Sequence, residues 1–354
     1  MSLTENMSNF LDPQLLLKVL SFEEELKIRP VEEIQKEKLQ ALAQTLLSEQ
    51  FRAAGGSSEE VAKMEAKAAA ATSFDDLYAS GKYKEALELP ENKKNPWGIY
   101  ACYIMLDDHK AAANTIMQLQ EFVETTTEGA SDTAAMLSQL NHRAWFVHWV
   151  LFSLFNVEGG CEKFGDLMLQ SQCMTTIQAA CPWILRYLAV SAVESAGRHL
   201  NYSRKMKEMV RVISQEIYEY TDPVVDFIVS LCIDYQDISV LGEKLIAAEK
   251  VLAHDYFCKD LAKDFASAGR SIIIDYYCKL HDTISLEKLA KSLQISTDSL
   301  AKLLQVGGQD SDIYKVPAHS KPLLSAQLSE RSKAIITRGA AAAQLAQSKE
   351  INII

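Results

Sequence analysis

The sequence predicts an all-α fold: a stack of helical repeats, or α-solenoid, that runs into a winged-helix subdomain and closes with a further helix. Three observations carry that expectation. Among 354 residues there are only 14 Gly and 8 Pro, few punctuators for a chain this long, which favours long helices over many short strands. Hydrophobic residues make up 48% and charged residues 23%, enough apolar material for a large core and too little charge for broad disorder. Apolar positions also recur at helical spacing in segment after segment. The pattern divides the chain into amino-terminal helices (1–52), a linker with an Ala-rich segment (53–72), a repeat domain (73–264), a winged helix (265–320) and a terminal bundling helix (321–354).

Taken in order, "FLDPQLLLKVLSFEEEL" places Pro13 in a first helical turn, where a missing N–H costs least. "PVEEIQKEKLQALAQTLLSEQ" follows with Val31, Ile34, Leu39, Leu42 and Leu46 apolar. "AAGGSSEE" reads as a linker, with Ser58 starting the next helix, "EEVAKMEAKAAAA". That helix is nearly bare of large apolar groups and is expected to be exposed or mobile. From residue 73 weak echoes begin. "SGKYKEALEL" (80–89) and "LDDHKAAANTI" (106–116) each read as a helix end, a tight turn and a helix opening on small residues, with Tyr83 and His109 in matching places. "DYQDISVLGEKLIAAEKVL" (234–252) has a similar shape. Helix pairs of this kind mark a solenoid.

The stretch "LNHRAWFVHWVLFSLFN" (140–156) admits three readings. From Ala144 to Phe155 it is 12 residues, about 18 Å as a helix against about 30 Å of hydrocarbon, which argues against a membrane span. His142 and His148, at about 100° per residue, point roughly 120° apart and lack a Cys or carboxylate at ligand spacing, which argues against a metal site. A helix apolar on nearly every side is packed by neighbours all round. Core is therefore the expectation, with Trp145, Trp149, Phe152 and Phe155 as anchors.

"YSRKMKEMVRVISQEIYEYTDP" is two-faced, with Met206, Met209, Val210 and Ile213 on one side. Arg198, Arg204, Lys205, Lys207 and Arg211 make a local cationic run that is either a solvated face or an anchor for an RNA phosphate or an acidic partner. "ISLEKLAKSLQISTDSLAKLL" (284–304) is two short helices capped by Ser285 and Ser296, and "IYKVP" (313–317) is a strand candidate. Helix, turn, helix and strand form a winged-helix pattern. Its second helix offers only Lys302 as a cation, so protein docking is favoured over base readout. The docking face expected from this pattern comprises Leu286, Leu289, Leu300, Leu303, Ile313, Tyr314 and Val316. Leu328, Ile335, Ile336 and Leu345 on the terminal segment need partner helices to complete their burial.

Net charge is −11, with a pI near 5.2, a balance that disfavours general nucleic-acid binding. The seven cysteines are scattered, without CxxC, and read as reduced core thiols. The opening residues lack a signal-peptide pattern, so a reducing intracellular compartment is expected. Neither a nucleophile elbow, a phosphate-binding loop, a dinucleotide fingerprint nor a metal-ligand pair is found, so no catalytic, cofactor or metal residue is assigned and an enzyme is not expected.

Together these segments resemble PCI-domain proteins, the scaffold class of the proteasome lid, the signalosome and translation initiation factor 3. More narrowly, "FLDPQLLLKVLSF", "RAWFVHWVLFSLFN", "TIQAACPWILRYL", "QEIYEYTDPVVDFI" and "ISLEKLAKSL", in that order, are similar to the e-type PCI family of eukaryotic translation initiation factor 3. The region 53–100 is shorter and richer in Ala and Gly than that pattern, and the segment after Leu304 is clipped, which suggests a divergent eukaryotic lineage. The resemblance implies a non-catalytic, cytoplasmic scaffold that contacts the c, d and l components of the factor and the small ribosomal subunit. A lid or signalosome scaffold is the alternative.

Overall fold

The structure, a computed structural model, describes residues 3–89, 95–125, 133–195, 202–216, 218–232, 237–281, 283–304 and 313–315, with single positions at 332, 336 and 339. Among the described residues the regular structure is helical apart from two three-residue strands. The helices are α1 (Thr4–Met7), α2 (Pro13–Leu26), α3 (Val31–Ala43), α4 (Ser48–Ala53), α5 (Ser58–Ala69), α6 (Phe74–Ala79) and α7 (Tyr83–Glu88). Next come α8 (Pro96–Met105), α9 (His109–Thr125), α10 (Thr133–Leu154), α11 (Gly160–Met168), α12 (Ser171–Ala180) and α13 (Leu185–Ser195). Then follow α14 (Tyr202–Glu216), α15 (Pro223–Cys232), α16 (Ile238–Ala253) and α17 (Ala262–Leu280). The remainder is β1 (Thr283–Ser285), α18 (Leu286–Ser292), α19 (Thr297–Leu303) and β2 (Ile313–Lys315). Two compact units result, Met1–Ile272 and Ile273–Ile354, with the division inside the segment 265–320 expected for the winged helix.

In the first unit most helices pack on a sequence neighbour, among them α2 on α3, α8 on α9, α9 on α10 and α15 on α16. One local device makes several of these turns. At Lys27, Gly55, Gly81 and Asp107 the backbone enters the left-handed region, and the next residue's N–H reaches back five residues. The bonds are Ile28 N to Glu23 O, Gly56 N to Phe51 O, Lys82 N to Leu77 O and Asp108 N to Tyr103 O, all between 2.9 and 3.1 Å. This closure satisfies carbonyls that a helix end leaves open and reverses the chain in few residues. Gly81 and Asp107 stand two residues before Tyr83 and His109, so the echo read between 80–89 and 106–116 has a backbone counterpart.

Pro13 sits in the first turn of α2, and Asp12 caps that helix by accepting from Gln14 N at 3.1 Å. The helix expected within 53–72 starts at Ser58 and most of it is exposed, with two differences. Ser57, not Ser58, caps α5, and α5 buries Val61 and Met64 against Leu17, Ala41, Leu42 and Phe51. Two medium apolar side chains one turn apart suffice when neighbours supply the rest of the cluster.

From Phe146 to Leu154 every residue of α10 is buried, and Phe155 continues the run. Phe152 meets Phe257 edge-to-face with ring centroids 4.8 Å apart, while Phe155 meets Phe164 and Tyr187 at 5.2 and 5.7 Å. Each such side chain contributes about 1.5–3 kcal/mol by leaving water. Residues 3–12 lie as a strap across this core. Leu3, Met7 and Leu11 are buried, Trp149 Nε1 donates to Phe10 O at 3.0 Å, and the Tyr187 hydroxyl lies 3.8 Å from Met7 Sδ.

In the second unit β1 pairs antiparallel with β2, Ile284 opposite Tyr314, and Ser285 and Ser296 cap α18 and α19. β2 falls within the strand expected at 313–317, whereas β1, "TIS", has no counterpart among the expected elements. Three residues are too few to show an alternating pattern.

Candidate interaction surfaces

A buried polar cluster of the first unit is built around Arg186 on α13. Its guanidinium donates to Asp222 Oδ1 at 2.6 Å and Oδ2 at 3.2 Å, and to Asp255 Oδ2 at 2.9 Å. Tyr187 Oη donates to the same Asp255 oxygen at 3.0 Å. The carboxylates hold backbone as well: Asp222 accepts from Val224 N at the start of α15, and Asp255 from Phe257 N and Cys258 N. Burial opposes the charge on Arg186, but Asp255 and Asp222 outweigh it and raise its pKa. The cluster ties α13 to two loops that the chain reaches 36 and 69 residues later. It is a clamp, with its groups too deeply covered to meet a partner.

His148 is buried beside this core. Its Nδ1 lies 2.6 Å from Ala144 O, its Nε2 accepts from Trp183 Nε1 at 2.9 Å, and Phe10 stacks on the ring at 4.7 Å between centroids. Burial pushes its pKa down to about 4, so the imidazole is neutral and both ring nitrogens are in use. His142 is exposed. Among the described residues no group of three His, Cys, Asp or Glu side chains could hold a metal ion, and no helix is long and apolar enough to cross a membrane. All seven cysteines are free thiols, six of them buried and Cys232 half-buried.

The surfaces expected to meet partners lie elsewhere. On α14, Met206, Met209, Val212 and Ile213 are buried, so the inner face includes Val212 and leaves Val210 half-buried at its margin. Arg211 is exposed. Arg198 and the side chains of Arg204, Lys205 and Lys207 lie outside the described residues. In the winged-helix unit, Leu289 (2% exposed) and Leu300 (fully covered) point into the unit's own interior with Ile284, Ala290 and Leu293. They are therefore core residues and not the docking positions expected of them: a unit this small spends its best apolar side chains on itself. Leu286 and Tyr314 are half-buried, while Leu303 is 42% and Ile336 69% exposed. The Ile313 side chain, Val316, Leu328, Ile335 and Leu345 lie outside the described residues. The Arg186 clamp escaped sequence reasoning, because Asp222 and Asp255 carry no local signal of pairing with an arginine so far away.

No family model matches the chain. Among curated proteins it is 36% identical over 239 residues to the E subunit of eukaryotic translation initiation factor 3 from Neurospora crassa, covering 64% of this chain and 53% of that relative. The chain is a relative of that protein. Its namesake from Schizosaccharomyces pombe is 34% identical over 239 residues, 65% of this chain and 46% of its own length. That from Aspergillus oryzae is 35% identical over 236 residues, 62% and 51% respectively. The chain thus spans about half the length of the curated relatives it matches. These relatives bear out the resemblance carried by the five sequence blocks.

Proposed function

We propose that the chain is a non-catalytic scaffold subunit of eukaryotic translation initiation factor 3. It assembles with other PCI-type subunits, of which c, d and l are the expected contacts, and docks on the small ribosomal subunit in the cytoplasm during initiation. The observation that carries this reading is the 36% identity, over 64% of the chain, to a protein named as a subunit of that factor. The helical stack and the winged-helix pair α18–α19 supply the surfaces such a role needs, and exposed Leu303 and Ile336 are apolar groups for partners to cover.

Affinity isolation of the tagged full chain, with its co-purifying proteins identified by mass spectrometry, tests this. Other initiation factor subunits with small ribosomal subunits are expected. Recovery of lid or signalosome subunits moves the assignment to the second scaffold class, and a clean monomer across lysate fractions removes both. Arg198, Arg204, Lys205, Lys207 and Arg211 form the candidate RNA or acidic-partner contact. Reversing Arg204, Lys207 and Arg211 is expected to weaken ribosome association with a steep salt dependence and to leave subunit assembly intact. Equal binding of variant and wild type across a salt series rules that contact out.

A further inference from the structure

Tyr218 stands apart from the other tyrosines whose side chains are described. It is 97% exposed and makes no hydrogen bond among the described residues, in a turn between α14 and α15. The others are buried or half-buried, and several hydroxyls are engaged: Tyr78 with Asp12, Tyr100 with Ser153 and Tyr187 with Asp255. An aromatic side chain left wholly in water adds little to the fold, and its hydroxyl is open to whatever reaches it from outside.

The setting selects among visitors. Glu216 and Glu219 flank Tyr218 in sequence, Glu219 exposed and Glu216 half-buried with its carboxylate accepting from Gln178 Nε2 at 3.1 Å, and the cation nearest in sequence, Arg211, is two helical turns earlier. A carboxylate-rich bracket repels a phosphate backbone and so disfavours base stacking as the purpose of the ring. It suits instead an active site that concentrates positive charge, as phosphoryl-transfer sites do with Lys, Arg and Mg²⁺. The backbone is also easily presented: on the α14 side the turn is closed by Glu219 N and Tyr220 N, each bonded to Glu216 O at 3.0 Å. Opening it on that side releases these two surface hydrogen bonds, while Asp222 beyond it stays held by Arg186.

We propose that Tyr218 is a phosphorylation site for a protein-tyrosine kinase. In the step, Tyr218 Oη bonds to the γ-phosphorus of a nucleoside triphosphate, and the bond from that phosphorus to the β–γ bridging oxygen breaks. The nucleoside diphosphate leaves and the phenolic proton passes to the kinase's general base. The product places a dianion at the carboxyl end of α14, beside two carboxylates, where the helix dipole is already negative. The last turn of α14 is loosened as a result.

The test uses the full chain in two arms. Folded chain is incubated with an acid-directed protein-tyrosine kinase, Mg²⁺ and ATP, and early sites are mapped by mass spectrometry. The first phosphate is expected on Tyr218, and Tyr218→Phe, a surface change that leaves the fold intact, lowers initial incorporation at least about tenfold because the other tyrosines whose side chains are described must first be opened. The chain is also isolated from its own cells under phosphatase inhibition, where phosphate is expected at Tyr218 and faster amide exchange over residues 213–216 in the phosphorylated fraction. The proposal is overturned by equal incorporation into Tyr218→Phe, by a first phosphate on another tyrosine, or by absence of phosphate at Tyr218 in the cellular material. None of these outcomes bears on membership of the initiation factor.

Discussion

The middle of the helical stack and the winged-helix unit solve the same problem with different resources. In the stack, the second half of α10, from Phe146 to Leu154, is covered on all sides, a buried arginine has two carboxylates, and even the buried histidine has partners for both ring nitrogens. In the winged-helix unit a handful of residues, among them Ile284, Leu289, Leu293 and Leu300, are consumed in making an interior, and Leu303 remains outside. The first region has the deeper interior, although Met117, Met136 and Leu137 stay exposed at its surface. The second holds its shape with little to spare, so its further stability comes from what binds it. Four substitutions or conditions separate the two, and all four Trp lie between 97 and 183, so tryptophan fluorescence reports on the stack alone.

The largest effect is expected for Arg186→Ala, which leaves Asp222 and Asp255 buried without a counter-charge and costs about 3–5 kcal/mol in urea unfolding followed by fluorescence. Adding Asp222→Asn and Asp255→Asn should recover part of the loss. A cost below about 1 kcal/mol would mean that the clamp is dispensable.

Leu289→Ala removes a covered side chain from the small interior, costing about 2–5 kcal/mol. Amide exchange over 284–303 should accelerate while the fluorescence transition stays put. A matching shift in both probes would show that the two regions unfold together and that the contrast between them is false.

Acid is next. Folded His148 titrates near 4 and an unfolded histidine near 6.5. The neutral ring therefore contributes fully above about pH 6.5, and that contribution disappears as pH falls through the window toward 4, by up to about 3 kcal/mol. His148→Gln should flatten that part of the stability–pH curve of the stack, and a wild-type curve already flat there contradicts the buried neutral assignment.

The smallest effect on stability, within about 0.5 kcal/mol, is expected for Leu303→Asp, because the side chain is already partly in water. Its effect should fall on assembly, read as lost co-purification of neighbouring subunits with an unchanged circular dichroism spectrum.

The same contrast explains what could be read from the residues. Features set by neighbours in sequence were legible: Pro13 in a first turn, the caps at Ser285 and Ser296, and the aromatic helix as core. The left-handed turns at Gly81 and Asp107 left a trace in the echo of 80–89 and 106–116. Features set by distant partners were not. Nothing around Asp255 names Arg186, and Val61 and Met64 look too sparse to pack until Phe51 and Leu42 are placed beside them. Of the candidate surfaces, position on a helix was legible but face was not: Leu286 shares a stripe with Leu289 and Leu303 shares one with Leu300, and only burial divides interior from exterior.

The strap of residues 3–12 has a consequence for how the molecule is made. Phe10 is held by Trp149, 139 positions downstream, and Met7 lies against Tyr187, 180 positions downstream. A ribosome adding roughly 5–20 residues per second therefore leaves that segment undocked for several seconds or more, its leucines and methionine open to solvent while α10 and α13 are still unborn. The strap leaves the ribosome well before the helices that secure it.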